Sequence, residues 1–230
     1  MDVNVFNTIE QCEDALLNEL THQINHSLEN QKTVSLALAG GSTPKGLYQK
    51  LSDAELAWSK LKVTLTDERW VDIHHSDSNE NMLKQTLFRN QARVAQFIAL
   101  KNSENTPQAG QIRTDHLLKH NVEKLDYVVL GMGEDGHFAS IFPNMPNTDD
   151  LLDLAQSAFC LPANPKDKPS RMSLTLSYLL SAQQIYIFIK GAVKRHLIEQ
   201  ESVANTSQSL PIHYLLTQTL CPVTVYWSES

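Results

Sequence analysis

Three short apolar runs in this chain end at or beside glycine. Val34–Ala39, VSLALA, leads into GGSTPKGLYQKL. Tyr127–Leu130, YVVL, leads into GMGEDGH, and Ile185–Ile189, IYIFI, leads into KGAVKRHLIEQ. Runs of this length, rich in β-branched and aromatic residues and closed by glycine, predict buried strands. Lys62–Thr66, KVTLT, reads as another strand and ends in DERWV. Val3–Phe6, Phe97–Leu100 and Val223–Trp227 add three more. Between them lie helical patterns. From Ile9 to Leu28 the apolar residues Ile9, Cys12, Leu16, Leu20, Ile24 and Leu28 recur at spacings of three and four. A helix is predicted from Ser78, where SNENML resembles a capped start, and another runs to about Lys124 after the polar loop 101–110. Strands alternating with helices from end to end predict an α/β fold, a mostly parallel open sheet with helices on both faces. With no repeat, linker or shift in composition, residues 1–230 read as a single domain.

The remaining composition narrows the function classes. The net charge of −7 argues against a nucleic-acid or membrane-surface role carried by bulk charge, and still permits a small basic pocket. The three cysteines, Cys12, Cys160 and Cys221, are far apart and form no CxxC pair, which fits a reducing compartment. The first residues carry no basic region followed by an apolar run. No segment approaches the ~18 apolar residues of a membrane span. A cytoplasmic protein with no membrane or nucleic-acid partner is expected.

The chemistry gathers at the strand ends. GMGEDGH has three glycines in six residues, two adjacent carboxylates and a histidine. It places Asp135 and His137 at the carboxyl edge of the sheet, where open α/β folds bind ligands. A histidine beside a carboxylate is a ready general base. In GGSTPK, two glycines make a tight strand-to-helix turn, Ser42 or Thr43 is placed to cap the helix, and Pro44 suits its first turn. A helix start also offers free N–H groups and a positive dipole end to a phosphate. Asp67 and Arg69 stand at a third strand end, and Arg171, Lys190 and Lys194 supply positive charge further on. GMGEDG matches the GxGxxG dinucleotide fingerprint in form. However, Glu134 and Asp135 would repel a pyrophosphate, and Pro143 and Pro146 cut short the helix that must follow. No GxSxG elbow and no HExxH-like ligand spacing is present. What remains is a site without cofactor or metal that holds an anion beside a carboxylate–histidine loop.

LALAGGSTPKGLY, TDERWV with SNENM downstream, GMGEDGHFASIFP, PSRMSLT and KGAVK occur in this order over most of the chain. Together they resemble the 6-phosphogluconolactonase family, sugar-phosphate lactonases of the pentose phosphate pathway. The related glucosamine-6-phosphate deaminases share GGSTP, the aspartate of DER and DGH. They carry a catalytic glutamate five residues after the histidine, where this chain has Phe142, and usually an aromatic residue in place of Arg69. Three residues depart from the usual lactonase pattern: Phe138 for a small threonine, Asp72 for a proline, and Lys168 where a second proline is common.

The resemblance implies a Rossmann-like fold of the deaminase type, and 6-phospho-D-glucono-1,5-lactone as substrate. Gly41, Ser42 and Thr43 would hold the phosphate, with Arg171 and Lys194 closing over it. His137 would activate water, oriented by Asp135 or Asp67, and Arg69 or loop N–H groups near Gly133 would stabilise the oxyanion. A deaminase or isomerase acting on glucosamine-6-phosphate and a non-catalytic sugar-phosphate binding module are the alternatives. The assembly is expected to be a monomer or homodimer.

Overall fold

A computed structural model describes residues 1–204 and 209–230. In chain order its elements are β1 (Asp2–Phe6), α1 (Ile9–Asn30), β2 (Val34–Leu38), α2 (Lys45–Ser52), β3 (Leu61–Leu65), β4 (Asp67–Arg69) and α3 (Asn79–Thr86). Then follow β5 (Gln96–Ile98), α4 (Pro107–Asn121), β6 (Tyr127–Leu130), α5 (Thr148–Leu152), β7 (Cys160–Ala163) and β8 (Arg171–Leu174). The chain finishes with α6 (Leu176–Leu179), β9 (Gln184–Lys190), α7 (Ala192–Glu201), α8 (Pro211–Thr217) and β10 (Val223–Ser228).

Seven strands form one parallel sheet in the order β1-β10-β9-β6-β2-β3-β5. Every residue of β2 and β6 is buried. Successive side chains on a strand point to opposite faces, so burial of all of them means that both faces are covered. This explains why VSLAL and YVVL are continuously apolar rather than alternating. The apolar stripe of α1, with Cys12, Leu16, Leu20 and Ile24 essentially inaccessible, packs into the same core cluster.

The strand order fixes the site. From β2 the chain builds outward through β3 to β5, then returns to the other side of β2 with β6 and continues to β9 and β10. The direction of building reverses between β2 and β6. The loops leaving these two neighbours diverge there and open a crevice at their carboxyl ends. The loop after β2 is GGSTP and the loop after β6 is GMGEDGH.

The structure departs from the sequence expectations in several places. DERWV is not simply a loop: Asp67–Arg69 is itself a strand, the edge of a three-stranded sheet in the order β4-β8-β7, antiparallel throughout. Strand β8 begins at Arg171, which lies opposite Arg69. Neither Ser42 nor Thr43 caps α2. Pro44 occupies the cap position, without a side-chain hydrogen bond. Helix α4 starts within the expected polar loop because Thr106 caps it, accepting a hydrogen bond from the Ala109 N–H at 3.2 Å, with Pro107 in the first turn. Helix α8 is an addition to the expected elements, and Pro107's role is repeated there by Pro211.

Candidate active site

A cavity of about 260 Å³ occupies the crevice. The turn after β2 supplies Gly41, Ser42 and Thr43 to its lining. Asp67 and Arg69 come from β4, His137 from the loop after β6, Arg171 from β8 and Lys194 from α7. Of the residues singled out in the sequence, Asp135 and Lys190 are not part of the lining.

The β2–α2 turn is built on a left-handed glycine, Gly41, with φ +94°. Gly40 lies hard against the side-chain amide of Asn79, and a Cβ there would collide with it. The chain therefore bends sharply before the helix starts. No hydrogen bond among the described residues engages the hydroxyl of Ser42 or Thr43. Both residues line the cavity just ahead of the start of α2. Across from them, Lys194 sits in the first turn of α7, half-buried. Burial pulls its ammonium below the ordinary lysine value, against the raising effect of Glu134.

The histidine loop is held by its own backbone. The Gly133 N–H donates to the His137 carbonyl at 2.8 Å, and the Gly136 N–H donates to the Gly133 carbonyl at 3.1 Å. Nδ1 of His137 lies 2.5 Å from Oδ1 of Asp135. Both groups of the pair are shifted downward. Burial lowers the His137 pKa more than Asp135 raises it. At Asp135 burial would raise the pKa, but the hydrogen bond and charge of His137 together outweigh it. The pair at neutral pH is accordingly a carboxylate and a neutral imidazole. Nδ1 then carries the proton given to Asp135, and Nε2, with no hydrogen bond among the described residues, keeps its lone pair.

Asp67 is committed elsewhere. Its Oδ2 accepts a hydrogen bond from the Ser140 hydroxyl at 2.5 Å and pairs with Nη1 of Arg171 at 3.5 Å. Its backbone carbonyl accepts from the Asn79 amide at 2.8 Å. The sequence left Asp135 and Asp67 as rival partners for His137. In the fold Asp135 makes the hydrogen bond, while the charge of Asp67 still reaches the imidazole. Nε of Arg69 and Nε of Arg171 are both buried without a hydrogen-bond partner among the described residues, on cross-strand neighbours. Buried unpaired donors on two guanidiniums are costly.

Glu68 supports this corner from behind. One carboxylate oxygen accepts from the N–H groups of Arg69 and Asn79, each at 2.8 Å. The other accepts from the Glu80 N–H at 2.7 Å and the Ser78 hydroxyl at 3.2 Å. Burial still pushes its pKa up to about 7, against those hydrogen bonds. The carboxylate thus pins the start of α3, which in turn places Asn79. Sequence reading did not find Asn79, Ser140 or Thr66 among the site residues. SNENM hinted at Asn79 through its capped helix start, but nothing local marked Ser140 as a partner of Asp67.

A family model described as glucosamine-6-phosphate isomerases/6-phosphogluconolactonase matches residues 7–227. The chain is 33% identical to the 6-phosphogluconolactonase of Pseudomonas putida over 92% of its own length and 86% of that protein. It is 31% identical to that of Rhizobium meliloti, with 99% and 98% covered. The crystal structure of a 6-phosphogluconolactonase from Shewanella baltica superimposes with a TM-score of 0.94 at 34% identity, covering 99% of this chain and 97% of that one. A monomeric glucosamine-6-phosphate deaminase has the same fold, with a TM-score of 0.79 at 17% identity over 98% of this chain and 97% of the other.

Proposed function

The chain belongs to the family of glucosamine-6-phosphate isomerases and 6-phosphogluconolactonases, and from that membership we propose that it hydrolyses 6-phospho-D-glucono-1,5-lactone to 6-phospho-D-gluconate. The observation that carries this reading is the pairing, across one cavity, of an uncommitted hydroxyl-bearing turn with a neutral imidazole. The turn suits a phosphate, and the imidazole suits an activated water.

In this reading the phosphate sits on the N–H groups and hydroxyls of Gly41, Ser42 and Thr43. Arg171 supplies a guanidinium and Lys194 a point charge. The lactone carbonyl then lies beside His137. Nε2 takes a proton from water as its oxygen attacks C1. The tetrahedral intermediate collapses by breaking the bond from C1 to the ring oxygen, and the imidazolium returns its proton to that oxygen. One water is consumed and one ester bond is opened. Asp135 holds the imidazole through Nδ1 and stabilises its charged form. The Gly133 N–H is already given to the His137 carbonyl, so Arg69 is the better candidate for the oxyanion. General base catalysis of this kind contributes about 10²–10⁴-fold.

The test is a spectroscopic assay of lactone decay run beside an assay for ammonia release from glucosamine-6-phosphate. Acceleration of lactone decay without ammonia release is the expected result. Ammonia release alone would replace the reading with a deaminase. Binding of 6-phosphogluconate without either activity would make the protein a sugar-phosphate binding module.

A further inference from the structure

Phe142 is buried, 4% exposed, yet its ring meets polar groups rather than only aliphatic ones. The imidazole of His137 stacks on it, with centroids 4.0 Å apart and planes 25° from parallel. The Lys168 ammonium lies 4.4 Å from the ring centroid and the Arg171 guanidinium 5.1 Å. The local turn accounts for this. Phe138 and Ile141 form an isolated antiparallel bridge, closed by Ala139 in the left-handed region at φ +47°. Both bridge residues are fully buried and anchor the reversal. The residues that flank the bridge, His137 and Phe142, are thereby brought face to face. An aromatic face stacks on a second ring and attracts cations through its quadrupole. An aliphatic side chain of similar size fills the space and does neither.

We propose that Phe142 is a positioning residue whose ring sets the plane of His137 and draws the Arg171 guanidinium to the cavity, so that base and phosphate grip are aligned by one side chain. The proposal rests on the lactonase reading above, and its test includes a measurement that needs no turnover. Phe142→Leu and Phe142→Met remove the ring and keep an apolar filler; Phe142→Tyr keeps the ring. Proton NMR of the folded enzyme should show the His137 ring protons shifted upfield by the stacked ring, assigned by their loss in His137→Ala. They should return toward ordinary imidazole positions in the Leu and Met variants and stay upfield in Tyr. Kinetically, Leu and Met should each lower kcat roughly tenfold or more, the scale of a misplaced catalytic group. They should also raise KM for the phosphorylated lactone and leave KM for unphosphorylated gluconolactone unchanged, while Tyr restores both parameters. Folded Leu and Met variants with wild-type kcat and KM would overturn the proposal. So would a folded Tyr variant as impaired as they are, since the ring would then be irrelevant. Should one aliphatic variant fail to fold, the other carries the comparison. A wild-type enzyme without lactonase activity would sink the functional reading, and the NMR positions would still decide for or against the stacking.

Discussion

Asp135 and His137 form a hydrogen-bonded pair 2.5 Å apart within one turn, only two residues apart in the chain. Asp67, the other carboxylate at the site, is paired with Arg171 and Ser140 instead. The two acids therefore serve different partners, and their variants should separate kinetically.

His137→Ala should fold, bind 6-phosphogluconate and lose most of its kcat. Burial holds the His137 pKa below the ordinary imidazole value of 6.5. The acid limb of kcat/KM should accordingly have its midpoint below 6.5 and vanish in the alanine variant. The sign for stability follows from the same shift. The unfolded chain binds this proton more readily than the fold does, so the contribution is complete above 6.5 and is lost as pH falls through the lower folded value. Thermal midpoints measured from neutral to mildly acid pH should fall more steeply for wild type than for His137→Ala.

Asp135→Asn should lower kcat with little change in KM, because it disturbs only the imidazole. Asp67→Asn should chiefly raise KM, because it releases Arg171. A matched pair of Michaelis curves decides this, and the reverse pattern would exchange the two roles.

Arg171→Ala removes a charge-assisted contact worth roughly 1.5–3 kcal/mol, about ten- to a hundredfold in KM. The loss should be confined to the phosphorylated lactone and be nearly absent with unphosphorylated gluconolactone. Equal losses on both substrates would assign Arg171 to holding Asp67 rather than phosphate.

Gly133→Ala tests the packing of the base. Gly133 is not in the left-handed region, so alanine fits the backbone there. Its methyl group, however, would collide with the imidazole of His137 and the carboxylate of Asp135. The expected outcome is a near-normal melting temperature with kcat reduced by about 10²-fold.

Glu68→Gln replaces one acceptor oxygen by an amide that faces N–H or O–H donors at the start of α3. Stability should fall by about 1–3 kcal/mol in denaturant titration. An unchanged midpoint would mean that α3 starts without this carboxylate.

Much of this site was legible because its signals are local. VSLALA followed by GGSTP, and YVVL followed by GMGEDGH, each announce a buried strand and a loop within a dozen residues. The antiparallel sheet was not legible. Its strand β4 has three residues, β7 contains Pro162, and neither length nor alternation distinguishes such pieces from loops. Their pairing, Asp67 with Ser173, is a long-range fact. Ser42 and Thr43 have the composition of caps. The left-handed Gly41 turns the chain so that Pro44 takes that place, and both residues line the cavity. The short α8, PIHYLLT, was marked only by its leading proline.

The two halves of the site differ in how much chain must be gathered to make them. The imidazole–carboxylate pair closes a loop of two residues, whereas the Asp67–Ser140 bond joins positions 73 apart and needs β4 and β8 docked. Closing a long loop costs more chain entropy and waits on non-local pairing. On refolding, the base should be assembled as soon as its turn forms, and the anion grip only when the distant strands arrive. Capture of a phosphorylated ligand is thus a stricter gauge of completed folding than the state of the histidine.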